Sequence, residues 1–291
     1  MITLSGDTMI PQENEIFVKV RFLYPGLTKS EKRVADILID DYENIGDYTL
    51  ADYAKKAGCS DASVMRFCRR LGLDGFSELK YQLAKVKTAA YDNGMHKITK
   101  EDNAYAIMEK VIWTNEKTLK DTLTLYSEDY EKALDAVLEA KQINFFGVGD
   151  AWIVCESAQM KFQRIGVRST AYSDVALSLA SASLMSEDDL AIGISFSGET
   201  KLVIDALRIA KSNGAKTLAI VHFDKCELLK YADMKIFTAT TDYTVGHDEI
   251  ARRTAEFAII DTLYMGLITK KAEIYNSKLK KTIAAIIENK T

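Results

Sequence analysis

From residue 142 onward, short apolar runs alternate with longer stretches whose apolar positions recur every three or four residues. Residues 143–148, 167–172, 190–196, 216–223 and 235–238 read as strands, and 152–164, 175–185, 202–212 and 249–267 as helices. Such alternation predicts a parallel sheet covered by helices. Upstream the spacing is helical throughout. Thr28-Lys29-Ser30-Glu31 is a capping box, and Val34, Ile37, Leu38 and Tyr42 follow it at helical intervals, predicting one helix over 28–43. Ile107, Val111, Ile112 and Leu119, then Ala133, Val137 and Leu138, mark connecting helices over 103–125 and 129–140. Trp113 and Tyr126 lie among these as packing anchors. Ile274, Leu279, Ile283, Ile286 and Ile287 predict a terminal helix whose apolar side packs on a partner. Residues 1–15 show no periodicity and predict a loose terminus, and Asp92-Asn93-Gly94 marks a domain boundary. The fold class is α/β: an all-α domain over 1–90, a helical linker over 91–125, a parallel α/β domain over 126–270 and a C-terminal helix over 271–291.

Within the helical domain, residues 49–71 read as helix, turn, helix. Thr49 caps the first helix and Gly58 ends it, while Ser60 caps the second and Gly72 ends that one. Ala54, Gly58 and Val64 have the sizes that the tight helix contact, the sharp turn and the inward position of a recognition helix need. Met65 and Cys68 are further inward candidates. Arg66, Arg69 and Arg70 then face outward, with Ser60, Ala62 and Ser63 at the helix start, where base edges are met. The plainer alternative is a small helical module with a solvated basic face.

Charge favours the first reading. The 291 residues carry a net charge of −4, yet between residues 55 and 87 eight basic side chains stand against three acidic ones. A local basic surface on an acidic chain suits DNA. Hydrophobic content of 47% supports a sizeable core. The first residues carry no basic leader region and no apolar run reaches the roughly 20 residues of a membrane span, so a cytoplasmic protein is expected. Cys59, Cys68, Cys155 and Cys226 are widely spaced, which speaks against a zinc site or disulfide framework and places them in cores. No cofactor or metal is expected.

The strongest candidate chemistry is Ala191-Ile192-Gly193-Ile194-Ser195-Phe196-Ser197-Gly198-Glu199-Thr200. An apolar strand that stops at three hydroxyls and a glycine, then opens into a helix, is suited to bind an anion, because backbone N–H groups and hydroxyls converge there. An ordinary N-cap is the plainer reading of any single hydroxyl. Three of them at the C-terminal end of a sheet strand favour a phosphate, since open α/β sheets bind ligands at that end. A nucleophile elbow would need Gly where Ser197 stands. Gly147-Val148-Gly149-Asp150 follows the first strand, but a dinucleotide fingerprint would place a third glycine where Trp152 stands, so no Rossmann cofactor is predicted.

Leu27-Thr28-Lys29-Ser30-Glu31, the run from Ser63 to Gly72, and Gly75-Phe76-Ser77-Glu78-Leu79-Lys80 together resemble the N-terminal domain of RpiR-type transcriptional regulators. The Gly-x-Gly turn, Lys161-Phe162-Gln163-Arg164-Ile165-Gly166 and the Ser195-x-Ser197-Gly198-x-Thr200 loop resemble the sugar isomerase (SIS) domain those regulators carry, a flavodoxin-like α/β/α fold. The resemblance implies that Ser195, Ser197 and Thr200 hold the phosphate of a phosphosugar, with Gly147, Gly149, Asp150, Gly198 and His247 in the ligand-side turns. Three positions depart from the family pattern. Asp150 stands where serine is common, Ala176 follows Ser173-Asp174 where histidine often does, and Gly246-His247 replaces a common Arg-Ser. These leave the identity of the sugar open.

The leading expectation is a regulator of carbohydrate metabolism. It would bind a double-stranded DNA operator as a homodimer or higher oligomer, tuned by a phosphorylated sugar. Two alternatives stand beside it. An aldose–ketose isomerase would need a base, for which Glu199, His247 and Glu249 are the candidates. A sensor domain that has lost its ligand and only dimerises would explain the carboxylate at Asp150, which repels phosphate unless it accepts from sugar hydroxyls instead.

Overall fold

The computed structural model describes residues 15–42, 44–89, 98–239 and 251–288. These fall into two compact units, one up to Lys117 and one from Thr118 onward, so the division lies inside one long helix.

The first unit begins with α1 (Glu15–Leu23), an element the periodicity did not predict. Ile16, Phe17 and Val18 are consecutive and all buried, together with Val20, so the run carries no visible helical stripe. The capping box is present: Thr28 precedes α2 (Lys29–Asp41), its hydroxyl accepting from the Glu31 N–H while the Glu31 carboxylate accepts from the Thr28 N–H at 2.9 Å. A second capping box, Thr49 with Asp52, starts α3 (Leu50–Lys56). Gly58, with φ of +60°, reverses the chain into α4 (Asp61–Arg70), and Gly72, with φ of +80°, ends it before α5 (Phe76–Ala89). Val64, Phe67 and Cys68 of α4 point into a core with Val34, Leu38 and Tyr53, whose phenol donates to the Val34 carbonyl at 2.8 Å. The helix-turn-helix is thereby a folded object with an inner apolar side and an outer polar one. α6 (Ala104–Thr124) then runs across the division between the units.

The second unit is a five-stranded parallel sheet in the order β2-β1-β3-β4-β5, formed by β1 (Gln142–Phe146), β2 (Arg168–Ala171), β3 (Asp189–Ile194), β4 (Lys216–Val221) and β5 (Met234–Phe237). Alternation along β1 sends Ile143 and Phe145 to one face and Phe146 to the other. On the first face they meet α7 (Asp129–Glu139), α8 (Asp150–Arg164) and α11 (Arg252–Lys270) through Val137, Val154, Phe162, Ile260 and Leu263. On the opposite face Phe146, Ala191, Ala219 and Val221 pack with α9 (Val175–Ser183) and α10 (Lys201–Ser212) through Ala182, Val203, Ala206 and Leu207. α12 (Ala272–Glu288) docks through Tyr275, while Ile283, Ile286 and Ile287 remain exposed. The five strands, and the helices for which the periodicity gave a span, lie within a few residues of that span. Cys68 and Cys155 are buried, Cys59 and Cys226 half-buried, and all four are free thiols. Among the described residues no helix is long and apolar enough to cross a membrane.

The strand order reverses between β1 and β3, because the chain leaves β1 toward β2 on one side and returns to β3 on the other. At that point the turns after the two strands diverge and leave a crevice at their C-terminal ends. Gly193 in β3 lets α10 approach the sheet closely: a Cβ there would lie 2.7 Å from Leu207 Cδ1 and 2.8 Å from Val203 Cγ1. Gly193→Ala is expected to overpack this contact and lower stability by about 1–3 kcal/mol. Urea unfolding that matched the parent would show that α10 has slack which this packing denies it.

Candidate functional site

Asp150, Ser195, Ser197 and Thr200 come together around a cavity of about 150 Å³ at the strand-order reversal, with Val148, Phe196, Arg252 and Glu256 also in its wall. The loop after β3 is held from several sides. Ser195 is buried, and its Oγ accepts from the Gly198 N–H at 3.1 Å and lies 2.9 Å from Thr200 Oγ1. Ser197 Oγ accepts from the Glu199 N–H at 3.2 Å. From behind, the His222 N–H donates to the Phe196 carbonyl and the Leu228 N–H to the Gly198 carbonyl. The Glu227 N–H donates to Glu199 Oε1 at 2.9 Å. Gly198 has φ of +67°, and a Cβ on it would fall 2.1 Å from Cys226 Sγ, so only glycine fits between the loop and its brace.

Thr200 occupies the N-cap of α10 but makes no side-chain cap bond, and its hydroxyl is turned to Ser195 instead. Ser195 and Thr200 thus place two hydroxyls 2.9 Å apart in a cavity wall at a helix N-terminus, with Ser197 beside them.

Gly147 and Gly149 shape the turn that carries Asp150 and are absent from the cavity wall. A Cβ on Gly147 would meet the Ala151 backbone at 2.9 Å, and Gly149 has φ of +62° at the N-cap of α8. Asp150 Oδ2 lies 3.5 Å from Arg252 Nη2, and Oδ1 lies 3.5 Å from Arg253 Nη1. The sequence did not single out either arginine, which a helical pattern assigns to the start of α11 with no hint of what they face. His247, Gly246 and Glu249 lie outside the described residues.

On α4 the proposed DNA-contacting residues divide. Ser60, Ala62, Arg66, Arg69 and Arg70 are exposed, while Ser63 is buried. Ser60 sits at the N-cap without the cap bond expected of it, its Oγ lying 3.1 Å from Ser63 Oγ. Ser63 Oγ accepts from Arg66 Nη2 at 3.0 Å, so Ser63 orients an arginine from below. Arg70 Nη1 lies 3.8 Å from the carboxylate of Glu31, which is only 6% exposed. Burial alone would raise the Glu31 carboxyl, but the Thr28 N–H and hydroxyl, with Arg70 and Arg66, hold it below its ordinary range. Arg70 therefore ties α4 to α2.

Residues 15–89 match the family profile described as "Helix-turn-helix domain, rpiR family", and residues 137–265 match that described as "SIS domain". The chain is 32% identical over 261 residues to an uncharacterised HTH-type transcriptional regulator of Caldanaerobacter subterraneus, covering 88% of this chain and 92% of the relative. This chain belongs to the rpiR family of transcriptional regulators. A second relative, the uncharacterised HTH-type transcriptional regulator YbbH of Bacillus subtilis, is 30% identical, with 89% of this chain and 93% of that one covered. Among solved structures, the Vibrio vulnificus NanR protein complexed with ManNAc-6P shares the fold at a TM-score of 0.60 and 23% identity, covering 94% of this chain and 98% of that one. The rpiR and SIS matches fall on the helical and sheet-bearing units described above.

If the outer side of α4 faces DNA, the three arginines have different expected behaviour. Arg66→Ala and Arg69→Ala should each weaken operator binding by about 1–3 kcal/mol at unchanged thermal stability. Arg70→Ala should also lower the melting temperature, because it leaves the buried Glu31 carboxylate with one cation fewer. Gel-shift titrations paired with thermal melts check this, and full affinity in both Arg66 and Arg69 variants would remove α4 from the interface.

Proposed function

We propose that this regulator binds a phosphorylated sugar in the cavity at the strand-order reversal and that the bound sugar tunes its affinity for a double-stranded operator. The observation that carries the reading is the Thr200 hydroxyl turned away from its helix and toward Ser195, beside Ser197. An N-terminal N–H array with three hydroxyls suits a phosphomonoester, and it lies where parallel sheets take ligands. That the NanR protein of similar fold holds ManNAc-6P supports the same class of effector.

Regulation without catalysis is the reading for the sensor unit. Glu199, one candidate base, spends its carboxylate on the Glu227 N–H and is not part of the cavity wall. An isomerase reading would turn to Glu256, which is in that wall and 2% exposed. Incubation with aldose and ketose phosphates separates the two, since a regulator returns them unchanged.

A recognition helix reads only a few base pairs, so the protein should act as a homodimer or higher oligomer on repeated half-sites. Exposed apolar side chains on α6, at Met108, Ile112 and Leu123, and on α12, at Ile283, Ile286 and Ile287, support a partner copy. Light scattering should return a mass above the 32.5 kDa of one chain at micromolar concentration. A monomer there would contradict the oligomer.

The effector itself is tested by thermal shift across a panel of sugar phosphates. One or more should raise the melting temperature by mass action, and Ser197→Ala should cut that ligand's affinity about tenfold or more, the worth of one hydrogen bond to a charged group. A flat panel would defeat the effector reading.

A further inference from the structure

The cavity wall contains a cation that the hydroxyl loop does not explain. Arg252 opens α11, places its guanidinium carbon 4.8 Å from the centroid of the Phe196 ring, and lines the cavity with Ser195, Ser197 and Thr200. Phe196 lies between the two loop serines and is itself stacked on His222, with centroids 4.6 Å apart and 11° between planes. The aromatic platform and the hydroxyls thus belong to one braced loop, and a guanidinium lying on that platform is oriented by the loop itself. Its ion pair with Asp150, at 3.5 Å, is longer than the roughly 2.7–2.9 Å of a well-made charge-assisted hydrogen bond.

We propose that Arg252 is the cationic half of the phosphate site and that Asp150 is its exchangeable partner. A phosphomonoester seated on Ser195, Ser197 and Thr200 takes the guanidinium from Asp150, and the released carboxylate accepts from a hydroxyl of the same ligand. The inference rests on the reading of this loop as a phosphate site.

Charge makes the cation necessary. Asp150 and Glu256 both line the cavity, and a phosphomonoester brings about −1.5 to −2 more at neutral pH. Hydroxyls alone leave that repulsion standing. A guanidinium answers it, since it stays protonated and its planar fork matches two phosphate oxygens. Asp150 explains in turn why the site would prefer a phosphorylated polyol to phosphate alone. A bare phosphate leaves the displaced carboxylate with only the long 3.5 Å contact to Arg253, whereas a sugar phosphate carries hydroxyls that donate to it. The carboxylate at a position where the family commonly has serine then reads the ligand's hydroxyls.

The test uses the full chain and calorimetry with two probes, inorganic phosphate and the hexose 6-phosphate that gives the largest thermal shift. Arg252→Gln should weaken both by about tenfold or more, as loss of a charge-assisted pair would. Arg252→Lys should recover only part of the loss, because it restores charge without the fork. Asp150→Asn should strengthen inorganic phosphate severalfold while narrowing the preference for the hexose phosphate. Thermal melts of the unliganded variants show whether each is folded. If Ser197→Ala loses hexose phosphate while folded Arg252→Gln binds it like the parent, the loop is a phosphate site and Arg252 has no part in it. If Asp150→Asn strengthens both probes equally, the carboxylate reads no hydroxyl and the exchange is overturned. A parent that binds neither probe overturns the inference together with the reading beneath it.

Discussion

At the end of β3 the chain has to turn within a few residues and present three hydroxyls to one cavity while its back stays packed against the 222–228 segment. Gly198 makes this possible, because its positive φ and missing Cβ let the loop lie against Cys226 where any side chain would collide. Ser195 then closes the turn by accepting the Gly198 N–H, and the same oxygen meets Thr200. What surrounds the cavity follows from this placement. Phe196 is held facing Arg252, Asp150 arrives from the neighbouring β1 turn, and α11 brings its first residues across the opening. For the proposed anion, a loop braced in this way would spend little entropy on binding, since its hydroxyls are already collected.

The helical unit uses a related economy. Glu31 caps α2 and also lies 3.8 Å from Arg70 of α4, so one buried carboxylate links the two helices. Ser63 steers Arg66 from beneath in the same manner. The side chains that reach outward from α4 are thus positioned by polar contacts on its inner edge, while Val64, Phe67 and Cys68 supply the apolar anchoring. Acid that protonates Glu31 would loosen that arrangement, because a carboxyl held below its ordinary range gives stability above that range and loses it as pH falls through its lowered value.

Much of this was legible in the residues because each element obeys its own period. The parallel strands are short apolar runs, the capping boxes are spelled out at Thr28 and Thr49, and the glycines at 58, 72 and 198 sit where positive φ is required. α1 escaped because three consecutive buried apolar residues mask its stripe. The inward turn of Ser63 and the tie between Arg70 and Glu31 escaped because helical spacing assigns a face and not a partner. Arg252 escaped for a different reason. It lies far along the chain from the hydroxyl loop, and only the close approach of α11 to the β1 and β3 turns brings it there. The four cavity residues singled out beforehand, Asp150, Ser195, Ser197 and Thr200, all follow strand ends at the same edge of the sheet, which is the one long-range fact that a strand-helix alternation carries.

In the proposed function, an anion site in a parallel sheet is coupled to a DNA-facing helix. Coupling is a free energy shared by two binding events, so a ligand that changes operator affinity must have its own affinity changed by the same factor. The direct measurement is a fluorescence-anisotropy titration of operator DNA at zero and at saturating sugar phosphate, with the reciprocal titration of the sugar phosphate at zero and saturating operator. Equal factors of about 5–150 are expected in both directions, the usual range of such coupling. Operator affinity that is the same at both ligand concentrations, with the sugar phosphate demonstrably bound, would contradict it.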